Sequence, residues 1–240
     1  MTHTHACSVL LVIAAGCGGA DEAMIDAPVA PVDAGSPGTG TATLVVTGTV
    51  AATPGVSNAG DPTNFTTDLV VDVKRAGAEV TTGTVTIASS NGSVALVFDA
   101  TAMRWHGAQA GYARTYELDV ASGSDTVAGV VIVGPDLHTF TQPTAGQTVD
   151  STLPLPIAWA RIDPAAAATV GTRMINGVSI SDTGSYSLAA GLLRSKPDQV
   201  EMERLQLVRT QQVTPAGGAV GSVFRVSVSN AIDLLVRPTL

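Results

Sequence analysis

From residue 42 onward the chain alternates. In "TYELDV", Tyr116, Leu118 and Val120 fall on one side and Thr115, Glu117 and Asp119 on the other. Successive side chains of a strand point to opposite faces, so this is the pattern of a strand with one face buried. The same period of two recurs in "TLVVTGTV", "DLVVDVKR", "GTVTIAS", "SVALVFDA" and "DTVAGVVIV", separated by Gly, Asn, Asp and Ser as at Asn91-Gly92. No window between 42 and 136 carries a helical stripe. Strands at such regular spacing over ~95 residues predict a β-sandwich.

The pattern restarts after "GPDLHTFTQPTAGQ". "LPLPIAWAR" predicts Leu153, Leu155, Ile157 and Trp159 inward, with Pro154 and Pro156 outward. The missing N–H of each proline asks for a strand start or an edge. "RMINGVSI", "GSYSLAAGLL", "VEMERLQLVRTQQV" and "GSVFRVSV" follow, the last with Phe224, Val226 and Val228 on one face and "VTPAGGAVG" as the hairpin tip before it. "EMERLQLVR" also admits a helical turn near Glu201. The expectation is an all-β chain of two tandem sandwiches, residues 42–136 and 137–240, with the boundary between Pro135 and Gln142.

The residues before 42 follow another rule. Ala6 to Gly16 form an apolar run of eleven residues, too short for the ~20 that cross a bilayer as a helix but suited to the core of an export signal. "MTHTH" ahead of it holds no lysine or arginine, whereas export signals open on positive charge. That points to a start further upstream or to an inefficient signal. An ordinary secretory signal cut nearby, or an apolar strand, are the other readings of this run. Residues 17–41 mix Pro, Gly, Ala and Asp with almost no large side chain. Such a segment buries too little apolar surface to offset its ordering entropy, and a disordered spacer is expected.

Composition narrows the function classes. Thr, Val, Ala, Ser and Gly dominate and only 13% of residues are charged, which suits pleated half-buried surfaces. The net charge is -8, and Asp21, Glu22, Asp26 and Asp33 of the spacer account for half of it. Without a basic stripe to displace counterions, nucleic acid is excluded as a partner. The two cysteines are Cys7, inside the apolar run, and Cys17, at its end. A chain cut before Cys17 would lose Cys7, and with the Cys17 thiol blocked as a thioether it would keep no free thiol for a metal, a nucleophile or a disulfide.

"AAGC" at 14–17 resembles the lipobox of bacterial lipoproteins, although these usually carry Leu where this chain has Ala14. The resemblance implies that residues 1–16 are a lipoprotein signal peptide and that Cys17 becomes the first residue, carrying the lipid that anchors the protein to the membrane. Gly18 and Gly19 stand where an aspartate would retain an enteric lipoprotein at the inner membrane, so the outer membrane is the expected address. "GYARTYELDVASGSDTVAGVVIVGP" is similar to the closing strand pair of a bacterial immunoglobulin-like domain. "TQPTAGQTVDSTLPLPIAWA" is similar to the opening of immunoglobulin-like and fibronectin type III-like repeats. The whole chain resembles a surface lipoprotein of high-GC Gram-negative bacteria with tandem modules of that kind, which implies an architecture and an address but no ligand.

Candidate chemistry is sparse. Asp182-Thr183-Gly184-Ser185 matches the loop of aspartic proteases, whose mechanism needs two such aspartates sharing a proton. A second Asp-Thr-Gly is lacking, so a dimeric hydrolase would be required; a hairpin turn is the expectation. His106 and His138 stand alone, without metal-ligand spacing. Asp119, Asp125 and Asp136 flank a hairpin, but lack the local spacing of a calcium loop. Trp105 and Trp159 are expected in the core rather than as stacking platforms. The sequons at Asn64 and Asn91 fit exposed loops. No catalytic residue, metal or cofactor is expected. The expected function is a non-enzymatic, lipid-anchored envelope protein that binds an unknown protein or glycan partner; a small-ligand or glycan-binding module is the alternative, and a dimeric hydrolase using Asp182 the remote one.

Overall fold

A computed structural model describes residues 35–238; Cys17, the expected signal and most of the expected spacer lie outside the described residues. The first strands are β1 (Pro37–Gly40), β2 (Leu44–Pro54), β3 (Phe65–Arg75), β4 (Ala78–Glu79), β5 (Thr84–Ser89) and β6 (Gly92–Ala95). Then come β7 (Val97–Asp99), β8 (Arg104–Ala110), β9 (Thr115–Ser122), β10 (Asp125–Val133), β11 (Thr139–Gln142) and β12 (Thr148–Val149). The last are β13 (Leu155–Ala160), β14 (Ala167–Gly171), β15 (Val178–Ile180), β16 (Ser185–Leu188), β17 (Glu201–Val213) and β18 (Val223–Val236). The fold is all-β and sandwich-like, as the alternation predicts. Its one described helical turn is a 3-10 turn at Pro62–Asn64, capped by the Asp61 carboxylate.

One large sheet runs β15-β14-β17-β18-β2-β3-β8-β7, with β12 and β4 appended. Two smaller sheets cover the same face of it. The sheet β1-β10-β9-β5-β6 closes a first core and the sheet β11-β13-β16 a second. In the first core Leu44, Val46 and Val50 of β2 and Leu69, Val71 and Val73 of β3 meet Ile87, Tyr116, Leu118, Val130 and Ile132. In the second, Leu205, Leu207, Ile232, Leu234 and Val236 meet Phe140, Leu155, Ile157, Trp159 and Leu188.

The two cores share a spine. β17 and β18 pair antiparallel from Glu201↔Val236 to Val213↔Phe224, strand throughout, with no helical turn at Glu201. On its other side β18 pairs parallel with β2 over Val223–Val228 and with β12 at Leu235 and Val236. Its even residues all face inward: Phe224, Val226 and Val228 into the first core, Ile232, Leu234 and Val236 into the second. The expected division at 136/137 therefore assigns to the second sandwich a strand whose first half completes the first core.

Several local features depart from plain alternation. In β10, Val127 and Val130 both face the first core because a bulge lies between them. Gly129 adopts φ +65 there and its amide donates to Asp119 Oδ1 at 2.8 Å; the extra residue switches which parity points inward. Pro37–Gly40 are not spacer: they pair with β10 as an edge strand. Leu153 is 57% exposed rather than inward, because it stands in the turn before β13 with its amide on Asp150 O. Pro156 precedes Ala158, where β11 starts to pair, so β13 has a partner on one side only at that position. Asp182 does not sit in a hairpin. β15 belongs to the large sheet and β16 to the small one, so "SDTGS" crosses between sheets.

Candidate functional site

The inward stripe of β17 reads Glu203, Leu205, Leu207, Arg209, and that of β18 reads Val228, Asn230, Ile232. The ladder fixes which face each residue takes, whatever its polarity. Arg209 and Asn230 are consequently drawn inside, both fully buried, where the first core gives way to the second.

A buried guanidinium requires partners for its charge and its donors. Arg209 Nε donates to Asp182 Oδ2 at 2.8 Å, Nη1 to Asp136 O at 2.7 Å, and Nη2 to Asp136 Oδ1 at 3.2 Å and to Asp163 O. Asp182 Oδ1 accepts from Trp159 Nε1 at 2.9 Å and Oδ2 from the Ala165 amide at 2.7 Å. Asp136 accepts from the amides of Ile162 and Asp163. The cluster pins the 161–166 loop and the start of the second core to β17. Burial works against charge on Asp136, but the Ile162 amide and the Arg209 guanidinium outweigh it and hold the carboxyl below the ordinary range. His138 lies beside this cluster, fully buried, with Nε2 3.2 Å from Leu207 O. Burial first, and the Arg209 charge second, push its imidazole down to about 4, so it is neutral at neutral pH. Asn230 closes the junction from the other side, accepting from the Ala59 amide and donating to Ala59 O and His138 O.

The sequence-predicted residues are thus distributed, not gathered. Asp182 is sealed: both oxygens are held by internal donors and its side chain is 1% exposed. A partner's aspartate could not share a proton with it without dismantling the Arg209 pair. Trp105 and Trp159 are core residues whose indole N–H groups donate to Val80 O and Asp182 Oδ1. Asp119 serves the β10 bulge, Asp125 pairs with Arg75 at 2.5 Å, and Asp136 belongs to the Arg209 cluster. His106 is exposed on β8. Among the described residues no three His, Cys, Asp or Glu side chains form a metal-sized group. Cys17 lies outside the described residues.

Sequence reasoning missed a third buried carboxylate. Glu203, fully buried, accepts from the amides of Arg173 at 2.8 Å and Arg204 at 3.0 Å on Oε1, and of Arg194 at 2.9 Å on Oε2. It ties two loops of the second core to β17. The signal was present: Glu203 is in phase with Leu205 and Leu207.

The opposite face of the large sheet has no covering layer among the described residues. Thr47 and Thr49 of β2, Asp68 of β3, Gln206 and Thr210 of β17 and Arg225 of β18 present a polar, half-buried to exposed surface. No protein-family model and no curated protein matches this chain.

Proposed function

We propose that this protein is a non-enzymatic binding module of the bacterial cell envelope, anchored by lipid on Cys17 and presenting its open sheet face to a partner. The observation that carries the address is the apolar run closing on Ala14-Ala15-Gly16-Cys17, followed at once by acidic spacer sequence. What supports binding rather than catalysis is the use of the buried ionisable groups. Asp136, Asp182, Glu203 and Arg209 all hold backbone or one another, whereas catalysis needs a titratable group held free to meet a substrate. The glycan-binding alternative is favoured by the polar, threonine- and glutamine-bearing open face. Cys17→Ser tests the address: in the native host it should yield unprocessed or soluble protein on membrane fractionation. Unchanged membrane retention would overturn the anchor.

A further inference from the structure

The chain has twelve lysines and arginines. Nine of them form ion pairs within the described residues; Arg173, Arg204 and Arg225 do not. In a protein of net charge -8, unpaired cations are the exception, and two of these three line one surface hollow. That hollow, about 220 Å³, is bounded by Arg173, Arg204, Thr172, Asn176 and Gln206 on the open side of β14 and β17.

The hollow is built from below. Glu203 Oε1 accepts from the backbone amides of both arginines, which sets their main chains side by side and leaves both guanidiniums to the solvent. Thr172 Oγ1 donates to Leu192 O at 2.9 Å and accepts from the Met174 amide at 3.1 Å, fixing the loop that carries Arg173. A second hollow of about 250 Å³ lies across Arg204, against Gly55, Ser57 and Asp233. Asp233 faces Arg204 in the β17–β18 ladder but makes no ion pair with it among the described residues.

Two like charges in one hollow repel until an anion joins them, and the planar fork of a guanidinium matches a carboxylate in two parallel hydrogen bonds. The amides of Asn176 and Gln206 add donors and acceptors suited to hydroxyl groups. Each hollow is smaller than the ~300 Å³ at which drug-sized pockets begin, which suits one sugar ring. We infer that the two hollows are adjoining subsites for an acidic polysaccharide, with a uronate carboxylate held between Arg173 and Arg204. This rests on the glycan-binding reading above.

Isothermal titration of the full chain, purified in detergent, with a trigalacturonate tests it. The trigalacturonate should bind, Arg173→Gln and Arg204→Gln should each weaken binding roughly tenfold or more, and Asp233→Asn should strengthen it. Thermal midpoints should stay unchanged in all three variants, because the altered side chains make no ion pair. Neutral maltotriose and sodium sulfate at equal concentration should give no comparable heat. Lack of trigalacturonate binding, or binding unchanged in the double arginine variant, overturns the site. Maltotriose binding that the arginine variants leave intact overturns the site but leaves the glycan reading standing. Tighter binding of a polyglutamate peptide reassigns the hollows to an acidic protein and overturns the saccharide assignment.

Discussion

The first core and the junction beside it lie along one strand, β18, and are held on opposite principles. Where β18 crosses the first core, its inward residues are Phe224, Val226 and Val228, and stability comes from apolar area removed from water. A few residues on, the same stripe of β18 carries Asn230 and that of β17 carries Arg209, and the fold is held by paired donors and acceptors. The difference shows that alternation decides which residues go inside, while their chemistry decides what the surroundings must supply.

That contrast can be broken most strongly at Arg209. Arg209→Met keeps much of the volume but leaves Asp136 buried without its cation and Asp182 with only Arg161 at 3.6 Å, and urea unfolding should register a loss of ~3–5 kcal/mol. Phe224→Leu, a change of comparable size in the first core, should cost about 1.5 kcal/mol or less. Equal losses would mean that the junction behaves as ordinary core.

Acid should separate the two regions next. The folded-state pKa of His138 is depressed from 6.5 to about 4, so between those values the unfolded chain binds the proton first. The stabilisation is therefore complete above pH 6.5 and is lost as pH falls towards about 4, by at most ~3 kcal/mol. Asp136, also depressed, continues the loss below its ordinary value of 3.8. Stability curves of His138→Gln should be flatter between pH 6.5 and 4, while Phe224→Leu should keep the slope.

Smaller effects belong to the periphery. Gly217 lies at the β17–β18 hairpin tip, and a Cβ there would meet the Thr39 backbone at 2.0 Å. Gly217→Val should push the tip off β1 and lower stability by ~1–3 kcal/mol in thermal unfolding. Arg114→Ala removes an exposed pair with Asp163, 2.7 Å long, and should change the unfolding free energy by less than ~1 kcal/mol.

Strand positions and inward faces were legible because period two is written locally: Tyr116, Leu118 and Val120, or Phe224, Val226 and Val228, need no distant information. What escaped depends on contacts far along the chain. Nothing near Thr47 announces that it will pair with Val223, and nothing near Ile180 says that the chain leaves one sheet for another at Asp182. The bulge at Gly129 was hidden because an extra residue looks like a broken pattern until the partner strand is in place. Arg209 and Glu203 were readable in principle, being in phase with leucines, but a charge in an apolar register is easily taken for an outward residue. The hollow at Arg173 and Arg204 left no such trace, since their lack of ion-pair partners is visible only in three dimensions.

The parallel ladder between β2 and β18 also has a mechanical meaning. It is the join between the half of the large sheet that follows directly from the N-terminal segment and the half that carries Arg204. The chain enters β2 at Leu44, while β18 runs in the same direction to Val236. Once the short edge strand β1 had come away from β10, tension between the chain entering β2 and a load at the far end of β18 would pull the two strands lengthwise past each other. Their six paired positions would then share the force together, whereas a hairpin pulled open at its ends would yield one bond after another.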